Sequence, residues 1–185
     1  ISYQMTGMVP MTAVGFSTIV VELVESLLIA LLIIIITIAV VFRSIKYAIA
    51  SILPNILPLL IPLAYYGITN QALDLFASIS FVIAIGIAVD DTIHLLARYR
   101  EEMKKTGLHE KAIEIAVSHS MKAIITTSII LVCGFSFIAL SEFPGNVMFA
   151  ILSCVIILVA LVVDLIFTPA MLTVLKPDSN PQKKA

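Results

Sequence analysis

Five long apolar runs constrain this chain more than any other feature: roughly residues 24–42, 47–67, 73–97, 121–140 and 146–173. A helix needs about 20 mostly apolar residues to cross the hydrocarbon core of a bilayer, and each run is about that long. The composition agrees. Of 185 residues, 61% are hydrophobic and 12% charged, whereas an ordinary soluble domain is about 45–50% apolar and about 25% charged. The second run holds Pro54, Pro58 and Pro62. Prolines discourage a helix in water, but a membrane bundle tolerates them because neighbouring helices satisfy the freed backbone groups. The sequence predicts an all-α membrane protein, a bundle of five transmembrane helices.

The basic residues predict its orientation. No Lys or Arg precedes Arg43, and all eleven fall in three places: Arg43 and Lys46, Arg98 to Lys122, and the tail from Lys176 onward. With five crossings those three places share one side of the membrane. The other side has only acids near its loops: Glu22, Glu25, Asp74 and Glu142. Cytoplasmic loops carry the excess of Lys and Arg, so the N-terminus is expected outside and the C-terminus in the cytoplasm.

Three segments lie outside the spans. Residues 1–23 read as the end of an extracytoplasmic segment with a lead-in helix. They lack a basic start and do not begin with Met, as expected of part of a longer protein. In the long connection 98–120, Ile113, Ala116 and Val117 share one face with charges opposite, predicting a short interfacial helix over about 108–120, lying on the membrane. Residues 176–185 form a polar cytoplasmic tail; the five-helix domain takes 24–175.

Other function classes lose support. A net charge of −1 and the absence of a basic patch with interleaved aromatics give no reason to expect nucleic acid. Cys133 and Cys154 both lie inside apolar runs and read as small core residues, not as a disulfide framework.

Against this apolar background the stretch IGIAVDDTIHLLARY, residues 85–99, stands out. It puts two adjacent carboxylates, Asp90 and Asp91, about four residues on the cytoplasmic side of the middle of span three. Thr126 and Thr127 fall at similar depth in span four, and Asp164 in span five, so three spans place polar side chains in one slab. His94 follows Asp90 by four residues and Asp91 by three, so all three can line one side of the helix. Gly86, one turn before Asp90, leaves room for a close neighbouring helix. Ionisable residues inside a membrane face a bundle interior or water cavity and mark proton or ion paths. Two adjoining carboxylates cannot both ionise cheaply. The pair is therefore expected to load and release protons, with His94 and Asp164 as further relay candidates and Thr126 and Thr127 as hydroxyls at the same depth.

Plainer readings exist for each residue. The Asp pair could be glue between helices, and Asp164 could simply bond a neighbouring hydroxyl. Thr126, Thr127 and Ser128 are common as backbone-bonding groups in membrane helices, His94 could be a satisfied residue near the cytoplasmic mouth, and His109 and His119 receive no role. A metal site from Asp90, Asp91 and His94 would draw every ligand from one helical turn. An intramembrane aspartyl protease would need Asp90 and Asp164 to converge without the glycine-rich approach such a site requires. No enzyme activity, metal or organic cofactor is expected; protons are the coupling ion.

The stretches FRSIKYAIASILPNILPLLIPL, GIAVDDTIHLLARYREE, KAIITTSIILVCGFSFIALSEFPGN and IFTPAML resemble the last five membrane helices of the resistance-nodulation-division (RND) superfamily, in its MMPL-type predicted exporter branch. The resemblance covers about residues 5–175, and the spacing from Gly86 to Asp90 and Asp91 is its most specific part. Sterol-sensing-domain proteins share the architecture and motif. The resemblance implies a proton-driven exporter of lipids or other hydrophobic compounds, in a prokaryotic cytoplasmic (inner) membrane. It implies two pseudo-symmetric halves, so this chain would be the second half, its partners being the N-terminal half, the membrane, a hydrophobic substrate and, in some arrangements, a second copy. Asp90 and Asp91 would be the proton-relay carboxylates, with Thr127 the supporting hydroxyl. Some relatives carry Asp-Tyr at this motif. The alternative it leaves is a sterol-sensing-like module that binds lipid and regulates without pumping.

Overall fold

The computed structural model describes residues 8–71 and 73–177. Five helices follow one another: α1 (Met8–Phe42), α2 (Ile45–Thr69), α3 (Leu75–Thr106), α4 (His109–Ile138) and α5 (Pro144–Leu175). All five are long and apolar enough to cross a membrane. At about 1.5 Å per residue all five are longer than the roughly 30 Å hydrocarbon core, α2 by the least. Residues 1–7 and nearly all of the tail expected over 176–185 lie outside the described residues.

Local chemistry sets the boundaries. Asp74 caps α3 by accepting from the Ala77 N–H at 2.7 Å, which satisfies one of the orphan donors of the first turn. Gly107 ends α3 in the left-handed region at φ +67°, its N–H closing on the Met103 carbonyl; a residue without Cβ adopts that conformation without strain. Pro144 opens α5, where its missing N–H is not needed. Pro54, Pro58 and Pro62 recur every four residues on α2, and all three are buried against the bundle.

Helix α5 is central: it packs against α2, α3 and α4, while α1 lies to one side against α2 and, less extensively, α3. Two apolar clusters form the core. One, at the end bearing Arg43, Lys46 and Lys176, gathers Ile38, Phe42, Tyr47, Leu95, Tyr99 and Leu172. The other, at the end bearing Asp74 and Glu142, gathers Leu59, Tyr66, Phe81, Ile85 and Ile156. Outward, Leu28, Ile36, Ile61, Ile130 and Val162 are each about half exposed or more, as expected of a surface whose solvent is lipid.

The segment 108–120 differs from expectation. It is not a separate helix lying on the membrane but the first part of α4, continuous with the span. No Pro or Gly interrupts the chain between His109 and Cys133. Its apolar face also has a protein partner: Ala112 and Ala116 are fully buried in the basic-end cluster, with Ile113 and Val117 packed beside them. At the turn, the Tyr99 hydroxyl lies 2.6 Å from His109 Nδ1 with the two rings stacked, joining α3 to the start of α4.

Candidate functional site

Between the two apolar clusters the core turns polar. Asp91, Thr92, Asp164, Thr168, Asn55 and Ser51 are all buried there. The residues expected to share one slab divide into an outer and an inner group, and Thr126, exposed on α4 and lining neither groove cavity, belongs to neither.

The outer group lies along the groove between α3 and α4. Neighbouring residues on a helix point about 100° apart, so Asp90 and Asp91 face different surroundings. The Asp90 side chain is 73% exposed and stands 3.5 Å from Nε2 of His94, itself 72% exposed. Asp91 turns inward, only 8% exposed. Both line two adjoining cavities. One, of about 380 Å³, continues past His94 and Arg98 on α3 and past Thr127, Ala123, Ser120 and His119 on α4. The other, of about 670 Å³, continues the opposite way past Gly86, Ile87 and Leu131. The polar column thus runs from the Asp pair toward the basic end. Arg98 on this column is also held by Glu101 at 3.2 Å and Glu102 at 3.7 Å.

Thr127 lines both cavities beside the carboxylates, although its hydroxyl donates to the Ala123 and Ile124 carbonyls of its own helix. Gly86 is exposed, and among the described residues no atom stands within 4 Å of where its Cβ would be. The close neighbouring helix expected there is not one of these five, because this side of α3 faces out of the bundle. His119, Ser120 and Arg98 had not been singled out in the sequence. Their signal is a stripe at a spacing of four, His119–Ala123–Thr127 on α4 opposite Asp90–His94–Arg98 on α3.

The inner group centres on Asp164. It is fully buried and accepts hydrogen bonds from the Thr92 hydroxyl of α3 at 2.7 Å and the Thr168 hydroxyl at 3.1 Å. Asp91, buried as Asp164 is, immediately precedes Thr92 on α3. Asp164 therefore joins the candidate site through Asp91 and Thr92, not through Asp90. Among the described residues no three His, Cys, Asp or Glu side chains are placed to hold a metal ion.

Fold and site together define an integral membrane protein whose helix bundle holds a carboxylate pair in a polar groove. More particularly, the chain matches the model of the MMPL family over residues 5–185 and belongs to that family, as the resemblance in its motifs implied. It is also similar to a membrane protein of Methanocaldococcus jannaschii, 30% identical over 108 residues. Those residues are 58% of this chain and 28% of the relative, so the match spans little more than a quarter of that protein's length.

Proposed function

We propose that this chain is the membrane half of a proton-driven RND-type exporter of lipids or other hydrophobic compounds, working in a prokaryotic inner membrane. The observation that carries the reading is the groove. A chain that exposes apolar side chains to lipid nearly everywhere keeps Asp90, Asp91, His94 and Thr127 along one polar cleft that extends toward its basic end. Asp90 and His94, nearest the open side, would exchange protons with water. Asp91, turned inward, would hold a proton between two environments. Each elementary charge moved across 100 mV is worth about 2.3 kcal/mol, so a cycle using several protons can drive uphill export. The N-terminal half would cover the open face around Gly86 and Asp90 and complete the path.

A second reading has its own observation. At the opposite end, Ile61, Pro62, Tyr65, Tyr66, Gln71, Met148, Ile151 and neighbouring residues line a mostly apolar cleft of about 480 Å³ between α2 and α5. A ligand site of that size would suit a sterol-sensing-like module that binds lipid without pumping.

Proton-coupled uptake measured in vesicles carrying the intact protein separates the two. Asp90→Asn and Asp91→Asn should each abolish proton flux coupled to substrate while the protein still folds and inserts. If both variants keep coupled flux, the groove is not the proton site and the lipid-binding module takes precedence.

A further inference from the structure

Many hydroxyls in these helices share one habit. Those of Ser26, Thr37, Ser51, Thr126 and Ser136 donate back to a carbonyl three or four residues earlier on their own helix, the usual local partner of Ser and Thr in a helix. Thr92 departs from it. Its hydroxyl crosses from α3 to α5 and donates to Oδ1 of Asp164, which also takes the Thr168 hydroxyl. All three residues are completely buried. Asp164 Oδ2, equally buried, has no hydrogen-bond partner among the described residues. A buried carboxylate oxygen left bare is costly, and it is also where a proton can be received.

The charged groups around it are few. Asp91 is buried and immediately precedes Thr92, whose hydroxyl reaches Asp164. Buried polar side chains of α2 and α4 are Ser51, Asn55, Ser120 and Ser128, none of them charged. Tyr47 and Tyr66 belong to the apolar clusters at either end, His109 to Tyr99, and His119 to the groove.

We propose that Asp164 is a second, inner proton-binding site, and that Thr92 is the hydroxyl through which α3 reads its charge. A proton leaves the carboxyl of Asp91, breaking an O–H bond there, and forms one at Oδ2 of Asp164; negative charge moves the other way. While Asp164 is a carboxylate, Thr92 donates to a charged acceptor and clasps α3 to α5, the stronger kind of hydrogen bond. Once Asp164 is neutral the clasp weakens, and Thr92 can turn back to the carbonyl of Ala88, as its fellow hydroxyls do. The inference deepens the reading of the groove as a proton port, and rests on that reading for the source of the proton.

The test is pH-dependent infrared difference spectroscopy of the intact protein in lipid, following protonated-carboxyl bands. A titrating band should survive in the Asp90→Asn, Asp91→Asn double variant and vanish in Asp164→Asn. Thr92→Val should displace that band and change its proton affinity about tenfold, the order expected for one hydrogen bond to a charged group; Thr92→Ser should restore both. If the double variant removes every titrating carboxyl, Asp164 is not a proton site, and the inference falls while the groove reading stands. If the inner band persists but Thr92→Val leaves it unmoved, the coupling role of Thr92 is wrong. A lasting inner band with no change from Asp90→Asn or Asp91→Asn sinks the groove reading instead. Should Asp164→Asn fail to fold, the Thr92→Val and Thr92→Ser pair decides alone.

Discussion

A methyl group added at Gly86 would meet nothing within 4 Å, whereas one added at Gly145 would run into the ring of Phe76, already packed edge-on to Phe143. Gly145→Ala should therefore destabilise the bundle by about 1–3 kcal/mol, the usual cost of overpacking. In this five-helix bundle by itself, where the Gly86 face is uncovered, Gly86→Ala should be neutral, or stabilising by up to about 1 kcal/mol from helix propensity. Thermal unfolding in detergent compares the two; equal losses would mean that the Gly86 face is already packed. This contrast also shows what can be read from sequence at this scale. Asp90, Asp91 and Asp164 were legible because a carboxylate in hydrocarbon is too costly to be incidental. Thr92 was not, since a lone threonine in a membrane helix usually bonds its own backbone, and only the direction of its side chain distinguishes it. The split between Asp90 and Asp91 was hidden for the same reason: adjacency in sequence conceals a 100° difference in facing.

At the scale of elements, apolar runs gave all five helices. Asp74 and Pro144 moved the starts of α3 and α5 by only two residues. Helix α3, however, continues past its apolar run, expected to end at 97, to Thr106 before Gly107 stops it, and α1 starts as early as Met8. The substantial difference was the first part of α4. An amphipathic stretch has the same pattern whether its apolar face meets lipid or another helix, so Ile113, Ala116 and Val117 could not decide between them. The packed arrangement makes a distinct prediction. Ala116 is fully buried in a cluster with Tyr47, Tyr99 and Leu95, so Ala116→Leu should cost about 1–3 kcal/mol by overpacking. Lys111→Ala, at an exposed position on the same stretch, should change stability by less than about 0.5 kcal/mol. Denaturant-induced loss of helix in detergent measures both. A neutral Ala116→Leu would return this segment to the membrane surface.

For the whole molecule the decisive quantity is which side the groove faces. Its polar column passes His94, Arg98 and His119 toward the end that also carries Arg43, Lys46 and Lys176. By the distribution of Lys and Arg, that end should be cytoplasmic. An exporter that takes protons from outside and releases them inside needs a release path on that side, and the groove would supply it. Single cysteines test the orientation in a background without Cys133 and Cys154. Glu142→Cys, in the turn between α4 and α5, should react with a membrane-impermeant thiol reagent on intact cells. Lys105→Cys, near the end of α3 and 55% exposed, should react only after the cells are permeabilised. The opposite pattern would put the basic end outside and reverse the groove, which would then be an entry for protons and could not be their release path. Asp91→Asn would still abolish proton coupling in that case, so labelling tells which way protons cross the groove and flux tells whether they cross it at all.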